Sequence, residues 1–326
     1  MNIDRSEFVK VDKGKMISFV SALAKEAGMP EEKAEFLAEL LVKNDLRGIF
    51  SHGSKQIATY ARIMRDGLIN PDPQISTANE SSATIVIDGD GGLGYFAACR
   101  GAEEIIERCR NIGIAAAVTR NHGHIGAAGI YSRILAENGL IGYVTSGHQL
   151  SLRPEDSIMR AAGGSPMSFA IPGGEEVPMV LDFGAMHDLY ETSPHVSELF
   201  KLAPGLVFRS MGLGFICQAL GGFLAGVPVE EERAKRRYQG ANQGSLIIAL
   251  DPGRFVDIGD LKNEMDTYMK LTREMQPMPG HDKASLPGVL ESGREVDWGI
   301  SGIPVDENHR AILSDAAAEF GVELPF

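Results

Sequence analysis

Residues 83–96 read ATIVIDGDGGLGYF, a β-branched run closed by a cluster of glycines. Thr84 to Ile87 favours a strand, and the glycines favour a turn. Strand, glycine loop and helix are also the layout of nucleotide-binding folds, so the loop's details decide the architecture. No Lys-Ser or Lys-Thr follows the glycines, which excludes a P-loop. No acidic residue ends the next strand at the distance a dinucleotide-binding βαβ unit requires. The segment reads as a strand and a turn, outside any Rossmann pattern.

Outward from it, the pattern changes with direction along the chain. On the N-terminal side it is helical. Lys13 to Ala27 places Met16, Phe19, Val20 and Leu23 on one stripe, with Gly28 as the stop. Pro30 opens a second helix, Glu31 to Asn44, and Lys55 to Arg65 forms a third, ended by Gly67, Pro71 and Pro73. On the C-terminal side strands and helices mix. Ala97–Asn111 and Ala127–Asn138 read as helices. Gly113–Thr119, Leu140–Thr145, Met167–Ile171, Met179–Asp182 and Ser245–Leu250 read as strands. Gly212 to Leu224 is apolar all round, the pattern of a helix buried in a core. Asp260–Met275 and Glu307–Phe320 are the closing helices. The partition that follows is a helical domain from residues 1–75 and 280–326 and an α+β domain from 76–279.

The chain has 326 residues, 44% hydrophobic and 23% charged, which are ordinary globular values. Its net charge is −13 and no long block of Lys and Arg interrupts it, so a nucleic-acid or anionic-membrane surface is not expected. Cys99, Cys109 and Cys217 form no C-x-x-C pair and read as reduced thiols. There is no signal-like stretch and no long uninterrupted apolar run, so the expected compartment is the cytoplasm.

Four motifs carry candidate chemistry. In DLRGIFSHG (45–53) a Ser-His pair beside glycine can hold an imidazole at a cleft mouth for proton transfer; the plain alternative is a loop histidine capping the next helix. RNHGHIGAAGIY (120–131) follows an apolar strand and opens a helix, where backbone N–H groups can face a phosphate. His122 and His124 are alternatively metal ligands, although no acidic or cysteine partner stands at zinc-like spacing. GDGGLGYF reads as a turn. VLDFG puts Asp182 at a strand end, where it orients either a histidine or the next turn.

Together these motifs resemble the non-Rossmann malate/L-lactate dehydrogenase family, which includes ureidoglycolate and sulfolactate dehydrogenases, diketogulonate reductase and cyclic imino acid reductases. The resemblance runs from DLRGIFSHG and Gly-Leu-Ile-Asn-Pro through NHGHIGAAG, GGSPMSFAIPGG, VPMVLDFG and QGANQGSLIIALDP to SGIPVD. It implies an α+β fold, with a helical domain and a mostly antiparallel sheet flanked by helices, assembled as a homodimer. It implies NAD or NADP as cofactor and a small, anionic 2-oxo, 2-hydroxy or 2-imino acid as substrate. His52 matches the proton donor and acceptor, with Ser51 beside it, and Asp182 matches the assisting carboxylate. His124, Gly126 and Ala127 match the cofactor loop, and Thr145, Ser146, Ser165 and Pro166 further nicotinamide-site segments.

The departures cluster at the same places. The family's carboxylate-clamping arginine is Gln56, next to Lys55, and a lysine offers a point charge instead of a planar fork. Gly-Thr-Asn-Pro has become Gly164-Ser165-Pro166, and Lys-Gly has become Arg209-Ser210. The stretch SGHQLSLRPEDSIMRAAG (146–163) is foreign to the pattern, and the segment after Asp182 is shortened. Lys55, Arg153 and Arg160 are the candidate replacements for the arginine. The competing reading is a chain that keeps the fold but has lost redox chemistry, as a cofactor-free lyase, a hydrolase or a binding protein. A metal enzyme using His122, His124 and His148 is a third.

Overall fold

The computed structural model describes residues 8–190 and 193–326. In chain order the elements are β1 (Val9–Val11), α1 (Lys13–Glu26), α2 (Glu31–Leu46), α3 (Gln56–Arg65), β2 (Ser76–Glu80), β3 (Thr84–Asp88), α4 (Gly94–Ile112), β4 (Ile114–His122), α5 (Gly129–Glu137), β5 (Ile141–His148), β6 (Pro166–Ile171), β7 (Met179–Gly184), α6 (Val196–Leu202), α7 (Pro204–Gln218), β8 (Gln243–Leu250), α8 (Ile258–Arg273), α9 (Val289–Ser301), β9 (Ile303–Val305) and α10 (Glu307–Phe320). They fall into two compact units. One combines the chain up to Asp72 with Val289–Phe326, and the other is Pro73–Gly288.

The first unit is helical. Asp12 caps α1 by accepting from the Gly14 and Lys15 N–H groups. The stripe of α1 (Met16, Val20, Leu23) is buried with Leu37 and Leu41 of α2 and Ile57 and Tyr60 of α3. The two ends of the chain meet here. β1 pairs antiparallel with β9, Val9 opposite Val305 and Val11 opposite Ile303. Glu319 of α10 takes both Arg62 and Arg65 of α3. α9 and both strands of this pair escape a periodicity reading: the strands are three residues each, and α9 buries no residue fully.

The second unit is a seven-stranded sheet in the order β2-β3-β4-β8-β5-β6-β7. Only β3 and β4 run parallel, and α4 is the crossover between them. Every other pair is antiparallel, so the sheet is mostly antiparallel as the resemblance implies. Neighbouring residues alternate between faces. Gly101 of α4 lies against Ala117, Thr119 and Ile247, and α5 packs over Gly142 through Leu135. On β6, Ala170 joins the Ala136 cluster of α5, whereas Met167, of opposite parity, packs with Cys217 of α7. β2 offers no alternation to read, because all five of its residues are exposed.

The long apolar helix is where the structure departs most from expectation. It starts earlier, at Pro204, and continues past Gln218 as a π-helical turn, Ala219–Phe223. It is not buried all round: Leu206, Phe208, Ile216 and Leu224 are each more than half exposed. By length and apolarity Pro204–Phe223 equals a membrane span, yet its inner side is fitted to the sheet. A Cβ on Gly221 would stand 2.3 Å from the Ser146 carbonyl carbon, and one on Gly214 would stand 2.6 Å from Ala162.

This predicts opposite outcomes for two glycines of one segment. Gly221→Ala drives a methyl into β5 backbone and is expected to cost about 1–3 kcal/mol. Gly212→Ala meets nothing within 4 Å and gains helix propensity of up to about 1 kcal/mol. Thermal unfolding of both variants beside the parent chain checks the signs.

Candidate active site

In the helical unit His52 ends a short 3-10 turn, Phe50–His52, just before α3. Phe50 stacks on Trp298 of α9 with centroids 5.8 Å apart and meets His309 of α10 edge-on. Asn44 Nδ2 donates to the His52 carbonyl at 2.9 Å. Asp45 Oδ2 accepts from the Ser54 N–H at 3.0 Å, and its Oδ1 lies where a side chain on Gly53 would begin, 1.8 Å from such a Cβ. Only glycine fits at 53. Ser54 Oγ is hydrogen-bonded to Nε2 of buried His309 at 2.9 Å.

The imidazole of His52 is half-buried, and its Nδ1 lies 2.9 Å from Ser51 Oγ. Burial pushes its pKa below the ordinary value, and the Lys55 charge pushes it the same way. Gln56 Nε2 donates to the Ser51 carbonyl at 2.6 Å. The amide standing at the arginine position therefore braces the turn. Asp45 is fully buried, which raises its pKa from 3.8 to about 7 despite the stabilising Ser54 hydrogen bonds. Its Oδ1 and Asn44 Oδ1 are buried acceptors with no hydrogen-bond partner among the described residues.

In the α+β unit the loop from β4 to α5 carries His124, half-buried, with Gly126 and Ala127 buried beside it. Gly126 is in the left-handed region (φ +70°), and a Cβ there would stand 2.2 Å from the Tyr95 hydroxyl. His122 is structural. Its Nε2 lies 2.7 Å from Thr119 Oγ1 and its Nδ1 2.7 Å from the Gly123 carbonyl, and burial lowers its pKa to about 4. At the other end of the loop the Gly129 N–H donates to Asp182 Oδ2 at 2.9 Å. A Cβ on Gly129 would stand 2.6 Å from that oxygen and 2.7 Å from Arg133 Nη1. Arg133, itself buried, thus brings a guanidinium to the same glycine as the Asp182 carboxylate. The sequence offered a signal for it, a basic residue among the apolar positions of α5, but no motif contains it.

A recess of about 550 Å³ opens at the end of β5, walled by Met159, Met186, Leu189 and Tyr190 and floored by Gly163 and Gly164. His148 and Arg160 are among its polar groups, and burial lowers the pKa of His148. Flat apolar walls with a few polar groups fit one end of a dinucleotide. Thr145 and Pro166 come together, with Thr145 Oγ1 donating to the Pro166 carbonyl at 2.8 Å. Ser165 (φ +50°) turns its hydroxyl inward, donating to the Ala162 carbonyl at 2.8 Å. Ser146 is buried beneath Gly221, and Arg209 is exposed on α7. Among the described residues no three His, Cys, Asp or Glu side chains form a metal-ligand cluster.

The sequence profile of the malate/L-lactate dehydrogenase family matches residues 11–186 and 197–314. The chain belongs to the malate/L-lactate dehydrogenase family. L-sulfolactate dehydrogenase of Methanocaldococcus jannaschii is 26% identical over 332 residues, covering 92% of this chain and 94% of that one. Malate dehydrogenase of Pyrococcus horikoshii is 25% identical over 354 residues, 97% of each chain, and its solved structure superposes with a TM-score of 0.84 over 98% of this chain and 99% of that one. The NAD(+) ureidoglycolate dehydrogenase of Escherichia coli K12 is 24% identical over 318 residues, 89% of this chain and 91% of that one. This family member is an enzyme, a dehydrogenase. Its fold is that of the family across nearly its full length.

Asp45 gives this site a signature in stability. Because its folded pKa is raised from 3.8 to about 7, its stabilising effect is complete below 3.8 and is lost as pH rises through about 7. His309, lowered from 6.5 to about 4, acts oppositely: its contribution is complete above 6.5 and is lost as pH falls through about 4. Asp45→Asn removes the first effect alone. At pH 8 the variant should melt above the parent by a few degrees, about 2–4 °C per kcal/mol recovered, with no gain at pH 4. Equal melting points at pH 8 would exclude an ionised Asp45 there.

Proposed function

We propose that this dehydrogenase uses NAD or NADP to oxidise or reduce a small 2-hydroxy, 2-oxo or 2-imino acid, with His52 exchanging the proton at the heteroatom on C2. The observation that carries the reading is the His52 turn, an imidazole held by Ser51 on a segment clamped by Asp45, Asn44 and Phe50. When bound, the nicotinamide supplies the hydride acceptor or donor. What the chain's own residues do follows from their environment. With its pKa held down by burial and Lys55, His52 is neutral at pH 7 and rests as a base. It is set to take the hydroxyl proton of a 2-hydroxy acid. Asp182 is assigned the assisting carboxylate.

Gln56 is occupied with the Ser51 carbonyl, so the substrate's carboxylate is assigned to Lys55, a salt-sensitive point charge. The recess beside Gly163 and Gly164 is assigned the nicotinamide end of the cofactor, and His124, Gly126, Ala127, Thr145, Ser146, Ser165 and Pro166 are assigned further cofactor contacts. Arg209, exposed on α7, is assigned a more distant cofactor contact. Soluble, cytoplasmic life is supported by three buried free thiols.

The exposed side of α7 supports the homodimer. Leu206, Phe208, Leu213 and Ile216 leave large apolar side chains exposed around the outer half of this helix, and a two-fold contact buries them against their copies. Light scattering should give twice 35.1 kDa, and Phe208→Lys should shift the mass toward the single chain. A monomeric mass for the parent chain overturns the dimer.

Two variants test the chemistry. His52→Ala should lower turnover about 100-fold or more on any substrate found among 2-hydroxy acids. Lys55→Met removes a cation that disfavours the imidazolium, so the acid limb of kcat/KM for oxidation should move to higher pH while KM for the acid rises. An unmoved limb excludes His52 as the titrating base. Failure to quench NADH or NADPH fluorescence, with no oxidation of any 2-hydroxy acid, overturns the redox reading.

A further inference from the structure

A second recess of about 350 Å³ lies in the α+β unit, where β3 and β4 end and β8 begins. Its walls carry Arg120, Arg233, Lys235 and Arg236 against one carboxylate, Asp88, a local excess of three positive charges in a chain of net −13. That carboxylate is already engaged. Asp88 Oδ1 accepts from Asn121 Nδ2 at 2.7 Å and from the Asp90 N–H at 3.0 Å, and Oδ2 lies 3.4 Å from Arg120 Nε. Beyond the walls, Glu230 makes an exposed pair with Arg233 (3.9 Å), a contact of the weak surface kind, and exposed Glu231 accepts from Nη2 of the largely buried Arg236 (3.3 Å).

Arg236 is the unusual member. Its side chain is only 9% exposed. Nη1 donates to Gln149 Oε1, while Nε is buried with no hydrogen-bond partner among the described residues. An unsatisfied donor on a buried cation is costly, and a ligand oxygen is the natural means of satisfying it. Asn121, on the same wall, holds a left-handed backbone (φ 53°), the kind of strain that collects at ligand sites.

We propose that this recess binds a phosphate-type oxyanion, with Arg236, Lys235 and Arg120 as its cations. Guanidinium groups suit phosphate oxygens by charge and by fork geometry. The site stands on the charge and burial of this unit and goes beyond the dehydrogenase reading, which assigns nothing to these residues. It also touches the first recess. Gln149 lines that recess, and besides accepting from Arg236 it donates from Nε2 to the Pro228 carbonyl at 2.9 Å. This amide therefore walls the first recess and is hydrogen-bonded to Arg236 and Pro228, which line the second. The phosphoryl group has two possible sources: the diphosphate of a dinucleotide reaching over this wall, or a free phosphorylated metabolite.

The test is calorimetric titration of the full chain with inorganic pyrophosphate at low ionic strength. Saturable binding is expected, weakened by added salt. Lys235→Ala, which alters only an exposed side chain, should weaken it about tenfold, and Arg236→Gln should abolish it. Absence of saturable heat in the parent chain, or parent-like binding by both variants, overturns the proposal. A competition arm identifies the source. Displacement of pyrophosphate by NADH, with Lys235→Ala weakening NADH in parallel, assigns the cofactor's phosphates. Simultaneous binding assigns a free metabolite. Pyrophosphate binding without any nicotinamide binding leaves this site standing and removes the redox reading.

Discussion

Ser245 of β8 stands between Thr119 of β4 and Ser146 of β5, all three in register and buried in the middle of the sheet. Thr119 Oγ1 joins the Ser245 hydroxyl at 2.5 Å and His122 Nε2 at 2.7 Å. A slip of one residue would turn these hydroxyls to the opposite face and leave buried polar groups without partners. The hydroxyl line therefore fixes where β4 and β5 end. It sets the start of the loop that carries His124 and ends at Gly129, whose N–H donates to Asp182, and it brings His148 opposite Gln243. Both recesses of the α+β unit are bordered by these same strand ends.

The helical unit achieves a comparable precision with charge. Around His52 the chain places a buried acid, a buried neutral histidine and a lysine, with no arginine fork facing outward. The acid and the histidine each have a cost to folding that the turn concentrates in few residues. Asp45 is held against Gly53 with one oxygen unpartnered, and His309 is kept uncharged. What is gained is an imidazole on a braced turn, with its pKa pushed below the ordinary value. The substitution at position 56 belongs to the same economy, since an amide can hold a carbonyl of the turn at neutral charge where a guanidinium could not.

Much of this was legible in the sequence, for identifiable reasons. Amphipathic stripes gave α1, α2, α3 and α10, and apolar runs bounded by glycine gave β3 through β8. The family resemblance set the antiparallel sheet, which no spacing alone could give. β2 and α9 were hidden because neither buries a face. α7 was misjudged because uniform apolarity cannot distinguish a core helix from one with an uncovered side. At the sites, motif reading supplied His52 and Asp182. Asp45, inside a quoted motif, gave no sign that burial would move its titration, and Arg133, a lone basic residue, and Arg236, one of a basic run, are residues whose burial only the fold reveals.

The β1–β9 pair has a consequence for how the polypeptide is made. The α+β unit is continuous and can complete itself once Gly288 has left the ribosome. The helical unit cannot, because its closing strand and α9 and α10 are synthesised last. During that interval α1, α2 and α3 can pack on one another, but the faces that α9 and α10 cover stay open, and the contacts that finally close them span almost the entire chain. Such long-range closure is slow and leaves aggregation-prone surface in the meantime. The nascent chain is thus most exposed to chaperones, and to misassembly, at its N-terminal helices, the segment that includes the turn of His52.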